Sequence, residues 1–221
     1  LGAGVAHEIN NPLAGVLGAA QLLLLRTDPE HPSVAHLKSI ESEALRIRDI
    51  VRNLLQLSQA SEERGGTLVD VNRVLEAALN LVARPIIAQR IRVAKSLATE
   101  LPRVRADAAE LQQVFLHLLS NAKNAMPDGG ELRLGSDVVE DRLVRVTVAD
   151  TGIGIRSEDL EKIFEPFFTR KEDWHGKGLG LAVVHRAVEQ MGGRIAVESH
   201  LGRGATFTLL FPIARENLHL A

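Results

Sequence analysis

The sequence predicts an α+β protein in two parts. An N-terminal helical hairpin over residues 1–61 is followed by a linker at 62–68 and a two-layer α/β sandwich over 69–221. Three observations predict it. Apolar residues in the first sixty or so positions recur at steps of three and four, the spacing of a helix seam. Past the polar stretch "SEERGGT" the pattern changes to strands of period two alternating with amphipathic helices. Each of those strands has one apolar face, and helices laid on that face alone give a two-layer arrangement.

In chain order, the first helix carries a stripe of Val5, Ile9, Leu13, Val16, Ala20 and Leu23. Pro12 interrupts its hydrogen bonding at the carbonyl of Glu8, so a bend or loosening is expected there. "RTDPEHPS" is a turn, with two prolines among polar residues. The second helix carries Leu37, Ile40, Ala44, Ile47, Val51 and Leu54, a heptad seam. One hairpin cannot cover both stripes; two paired hairpins make a four-helix bundle, which predicts a homodimer. The alternative is that the stripes pack on the remainder of the same chain.

In the second part, "VNRVLEAALNLVARPI" reads as a helix, "RIRVAKSL" as a strand and "DAAELQQVFLHLLSNAKNAM" as a long helix. "GELRLGSDV" and "RLVRVTVAD" alternate as strands and lead into glycine-rich loops. "LGLAVVHRAVEQMG" is a further helix, and "GRIAVESH" and "GATFTLLFP" are a closing strand pair.

Composition bounds the function. A formal net charge of −2 gives no electrostatic footprint for nucleic acid or an anionic membrane surface. Cysteine is absent, so thiolate metal sites are excluded and a reducing compartment is compatible. The most lipid-like run, "GVLGAAQLLLL", falls short of the roughly 20 apolar residues that span a bilayer, and no signal peptide precedes it. A cytoplasmic segment without membrane contact is expected.

Several residues point to chemistry. His7 lies two positions from both Val5 and Ile9, so it projects about 200° from the seam, toward solvent. Glu8 adjoins it and Asn11 lies one turn along; an exposed imidazole beside a carboxylate is a candidate nucleophile with its own base, or an ordinary surface histidine. The zinc-helix pattern H-E-x-x-H fails, because its fifth position is Asn11. Val144, Val146 and Val148 share a strand face that Asp150 continues. A carboxylate turned inward needs donors: an adenine amino group is one candidate, and the turn through Thr151 and Gly152 is the other. Gly152 and Gly154 permit close approach of a flat ligand. Gly176, Gly178 and Gly180 stand before a helix whose exposed amides, with Lys177, suit a phosphate chain. On the long helix, Leu111, Val114, Phe115, Leu118, Leu119 and Ala122 form the apolar stripe, with His117 and Asn121 one turn apart at its edge. There an amide oxygen could ligate Mg²⁺ on a nucleotide. His31 sits in the hairpin turn, and His36 and His185 read as surface residues of helices.

The order of these stretches resembles the catalytic core of a two-component sensor histidine kinase over essentially the whole chain. "HEINNPL" resembles the H box, "HLLSNAKNA" the N box, "DTGIGI" the first glycine box, "IFEPFFTRK" the F box and "GKGLGLAVV" the second glycine box. The H box is most similar to the nitrogen-regulation type. The resemblance implies a dimerisation and phosphotransfer hairpin followed by a Bergerat-type ATP-binding sandwich, with ATP and Mg²⁺ as cofactors. It implies His7 as phosphoacceptor, Glu8 as the base for its other ring nitrogen, and Asn11 as the group that orients water for dephosphorylating a response regulator receiver domain. By the same resemblance, Asp150 reads the adenine amino group, and Asn121 and Asn124 bind nucleotide, Asn121 through Mg²⁺. Gly152, Gly154, Gly176, Gly178 and Gly180 frame it. A lid from Lys171 to Gly176 closes over it, with Phe164, Phe167 and Phe168 as its hinge. Two positions depart from the family pattern: His117 stands where the N box begins with an asparagine, and could still ligate Mg²⁺ or touch phosphate through a neutral ring nitrogen, and Lys177 stands in place of a threonine, where it could contact phosphate directly. The chain starts six residues before His7, so an upstream sensor domain absent from it, and a membrane-attached parent protein, are expected. The rival readings are a Bergerat-fold ATPase, whose activating glutamate would stand where His117 does, and an ATP-binding dimeric scaffold that transfers nothing.

Overall fold

Leu13, Leu17, Ala20 and Leu24 return every three or four residues, and they are the less exposed side of a helix over Gly2–Arg26, α1. A computed structural model describes residues 2–58, 66–169 and 178–214, without the side chains of 2–8, 49 and 52–58. Pro12 lies inside α1, which continues past it; one missing amide is not enough to end a helix supported by a partner along its length. The turn closes with local bonds. Thr27 Oγ1 donates to the Leu23 carbonyl at 2.6 Å, and the Ser33 amide donates to His31 Nδ1 at 3.1 Å. His31 thus caps the start of the second helix, Ser33–Ser58, α2. Gln21 Nε2 donates to Glu41 Oε1 across the hairpin at 2.9 Å.

The chain divides into two compact units, the hairpin in one and the sandwich in the other. The sandwich runs β1 (Thr67–Val69), α3 (Val71–Ala88), β2 (Ile91–Leu97), β3 (Val104–Ala106), α4 (Ala108–Ala125), β4 (Gly130–Val139), β5 (Leu143–Asp150), α5 (Gly180–Gln190), β6 (Arg194–His200) and β7 (Gly204–Pro212). Five strands form one sheet in the order β2-β4-β5-β7-β6. β2 and β4 are parallel, and the remaining pairs are antiparallel. Val144, Val146 and Val148 of β5 and Phe207, Leu209 and Phe211 of β7 point into one core. α3 adds Leu75 and Ala78, α4 adds its full expected stripe from Leu111 to Ala122, and α5 adds Val184 and Val188. The helices therefore cover a single face of the sheet, as the one-sided strands require.

α3 and α4 both begin with an aspartate cap. Asp70 accepts from the Arg73 amide at 3.1 Å, and Asp107 from Ala109 and Glu110 at 2.8 and 3.1 Å. The antiparallel pair β1–β3 was not foreseen. Three-residue strands are too short to display a period, and β1 takes Thr67 and Leu68 from the expected linker. Among the described residues no helix is long and apolar enough to cross a membrane.

Candidate active site

The site forms where β5 ends. Alternation along β5 turns Asp150 to the core side, and it is buried. Burial pushes its carboxyl pKa above the ordinary range, partly offset by the backbone amides of Gly152 and Ala205. The Gly152 amide donates to Asp150 Oδ1 at 2.8 Å, so the turn-capping role is realised. That bond occupies one lone pair of an acceptor group with about four, and it leaves acceptor capacity for a ligand.

The loop after Asp150 is held from two sides. Toward β4 and α4, the Thr151 amide donates to the Glu131 carbonyl of β4 at 3.2 Å and the Ile153 amide to the Ala125 carbonyl at the end of α4 at 2.9 Å. Toward the β6–β7 turn, the Gly202 amide donates to the Ile153 carbonyl at 2.7 Å and the Ile155 amide to Ser199 Oγ at 2.8 Å. These contacts give the glycines a reason besides ligand approach. A Cβ on Gly152 would run into the Ala125 carbonyl, and one on Gly154 (φ +70°) into the His200 carbonyl. Gly204 (φ +87°) lies against the carbonyl of Asp150 itself.

α4 supplies the neighbouring wall. Asn121 and Asn124 are both half-buried, near its C-terminal end. His117 is half-buried too, and burial lowers its pKa, so the ring is neutral at pH 7. Its Nε2 lies 3.3 Å from Gln113 Nε2. An amide N–H donating there occupies the ring's acceptor nitrogen, so a metal role for that nitrogen would require Gln113 to let go. The end of α4 is clamped by Gln89, whose Nε2 donates to the carbonyls of Lys123 at 2.8 Å and Met126 at 2.7 Å. Gln89 and Ser199 were both missed in the sequence. Neither lies in a motif, although the glycines at 202 and 204 flag the turn that Ser199 serves.

Phe164 and Phe168 pack against the core, whereas Phe167 is exposed at φ +67°. The expected hinge trio is thus split. His185 is not a plain surface residue: its ring lies 5.1 Å from that of Phe164, and its Nδ1 is 3.3 Å from Glu189 Oε2. Gly178 and Gly180 lie at the entry to α5. Lys171, Gly176 and Lys177 lie outside the described residues, as do the side chains of His7 and Glu8, whose backbone belongs to α1. Asn11 is exposed on the same helix.

The donor set suits an adenine nucleotide with Mg²⁺. Asp150 is a buried acceptor for an amino group, and Asn121 offers a hard amide oxygen. Among the described residues no cluster of three histidine or acidic side chains could hold a metal by itself.

Comparison with known proteins agrees with this arrangement. Residues 1–63 match the His Kinase A (phospho-acceptor) domain, and residues 106–215 match the histidine kinase-, DNA gyrase B- and HSP90-like ATPase family. The sensor histidine kinase ZraS of Klebsiella oxytoca is 38% identical over 213 residues, covering 96% of this chain and 46% of that protein. Full-length ShkA in complex with AMPPNP superposes with a TM-score of 0.83 at 30% identity, over 97% of this chain and 46% of that one. The catalytic domain of the histidine kinase ThkA matches at TM-score 0.60 and 31% identity, over 67% of this chain and 98% of that domain. ThkA in complex with the response regulator protein TrrA matches at TM-score 0.69 and 29% identity, over 96% of this chain and 60% of that one. The chain therefore spans about half the length, or less, of the full-length relatives it matches.

Proposed function

The chain belongs to the sensor histidine kinases, and on that premise we propose that it phosphorylates His7 from ATP and passes the phosphoryl group to an aspartate of a response regulator. The observation that carries the reading is the buried Asp150 carboxyl, held by backbone amides beside the helix that bears Asn121. Burial still raises the cost of its charge with the Gly152 and Ala205 amides donating, and a carboxylate with acceptor capacity left at the rim of a glycine loop suits a ligand that donates to it.

In this reading Asp150 accepts from the exocyclic amino group of adenine. Asn121 and Asn124 face the phosphate chain; Asn121 would hold Mg²⁺, which would supply neutralisation of charge on the transferring group. Gly152 and Gly154 hold the loop, and Gly176, Gly178 and Gly180, with Lys171 and Lys177, frame the phosphates. A ring nitrogen of His7 attacks the γ-phosphorus in line. The N–P bond forms as the bond to the β,γ-bridging oxygen breaks, ADP leaves, and Glu8 takes the proton from the other ring nitrogen. Asn11 orients water when the phosphorylated regulator is hydrolysed. The ThkA–TrrA complex supports a receiver domain as partner. The open apolar seam of the hairpin supports a homodimer. We assign the phosphotransfer hairpin to residues 1–61, a linker to 62–66 and the ATP-binding domain to 67–221, its start moved from residue 69 because β1 begins at Thr67. We place the segment on the cytoplasmic side of its parent protein.

The test is incubation with Mg²⁺ and γ-labelled ATP, comparing the parent with His7→Gln. Label that is acid-labile, alkali-stable and lost in the variant is the expected result. Nucleotide binding without label would favour a scaffold, and label that survives the substitution would assign the wrong histidine.

A further inference from the structure

We propose that Ser199 is a positioning residue for adenine recognition, locking the loop from Asp150 to Ile155 against the β6–β7 turn. The proposal rests on the reading of Asp150 as the carboxylate that meets the adenine amino group.

Ser199 is half-buried near the end of β6, and its hydroxyl serves two chain segments at once. It accepts the Ile155 amide at 2.8 Å and donates to the Gly204 carbonyl at 2.7 Å. Those two groups bracket the carboxylate. Ile155 closes the far end of the loop that begins at Asp150. Gly204 lies against the Asp150 carbonyl and precedes Ala205, whose amide is one of the donors to the Asp150 carboxyl. β5 and β7 run in register here, with Asp150 opposite Ala205. β6 and β7 do the same one strand over, with Ser199 also opposite Ala205. One hydroxyl therefore fixes the distance between the loop and the strand that together present the carboxylate. Deleting it leaves an amide and a carbonyl without their partner, and loop and turn are then joined mainly through the Gly202 amide on the Ile153 carbonyl at 2.7 Å. The loss falls on the placement of Asp150 and not on the phosphate contacts, which the proposed function assigns to other residues.

The experiment uses calorimetry on the whole chain with two probes, ADP and purine riboside diphosphate, which differ only in the exocyclic amino group. Wild type is expected to prefer ADP. Ser199→Ala is expected to lose about tenfold in ADP affinity, the scale of one to two lost hydrogen bonds, with little loss for the analogue. Ser199→Thr, which keeps the hydroxyl, restores the preference. If Ser199→Ala does not fold, Ser199→Cys, a weaker donor and acceptor, carries the same comparison. A variant that weakens both nucleotides equally, or neither, overturns the proposal, since a merely structural role spares the ratio. A wild type that does not distinguish the two probes overturns the reading of Asp150 instead.

Discussion

At Asp150 a single burial has two opposite consequences with pH. The raised pKa means that the folded protein disfavours the ionised form relative to the unfolded chain. Its contribution to stability is therefore complete below the ordinary carboxylate range and is lost as pH rises through the raised value. Under the proposed function adenine binding has the opposite sign, because only the carboxylate accepts fully from an amino group. Acidification across that window should raise the melting temperature of the ligand-free protein relative to Asp150→Asn while shrinking the shift produced by ADP. Melts of both proteins, with and without ADP, from about pH 4 to pH 7 read both terms. Asp150→Asn should cost at least about tenfold in ADP affinity. His117 behaves differently. Its pKa is lowered by burial, so stability is full above the ordinary histidine value of about 6.5 and falls as pH drops below it. His117→Asn should flatten that limb in thermal melts. At this scale the sequence was informative where side-chain parity decides. Asp150 continues the face of Val144, Val146 and Val148, and it is buried as that parity requires. Ser199 was illegible because its role depends on which loop lies opposite β6, and no local pattern encodes that.

Among the elements, α4 shows how support reaches the site from outside every motif. Gln89 ends α3 and donates to two carbonyls at the C-terminus of α4, Lys123 and Met126. Between them lies Ala125, whose carbonyl receives the Ile153 amide of the glycine loop. Removing Gln89 takes a second donor from each carbonyl, leaving Lys123 with the Met126 amide and Met126 with the Gly129 amide, both at 3.1 Å, so the tie between α3 and α4 is lost while the local turn stays. Gln89→Leu should lower stability by about 1–2 kcal/mol in denaturant titrations, the net worth of two hydrogen bonds. It should also weaken ADP binding, because the loop loses a fixed anchor; unchanged affinity in a destabilised variant would show that α4 and the loop are independent. The helices and longer strands were legible because their apolar stripes are long enough to show a period, and all six stripe residues of α4 are buried. β1 and β3 were not, since three residues carry too little pattern and their pairing joins segments far apart in sequence.

For the whole molecule, the hairpin shows what a heptad conceals. The stripe of α2 divides: Ala44 is buried and Leu37 and Val51 are half-buried, whereas Ile40 is 46% exposed and Ile47 44% exposed. α1 divides in the same way, with Leu13 and Ala20 on the inner side and Ile9, Val16 and Leu23 at 40%, 49% and 51% exposure. The exposed members recur every seven residues on both helices, so each hairpin keeps one seam and presents another. Periodicity alone identified the stripe but could not say which residues serve which seam, because that depends on how α1 meets α2. The second seam is what a second hairpin would fill in a four-helix bundle. A doubly substituted Ile40→Glu, Ile47→Glu protein should sediment as a monomer in the ultracentrifuge where the parent sediments as a dimer. Burying two carboxylates in that seam costs far more than the seam returns. The sandwich should be indifferent, since its core is built wholly from Val69 onward, and ADP affinity should stay within about twofold of the parent. Label on His7 then separates two routes. A monomer that still labels transfers phosphate within one chain, and a monomer that binds ADP but does not label needs its partner's nucleotide or the bundle that presents His7.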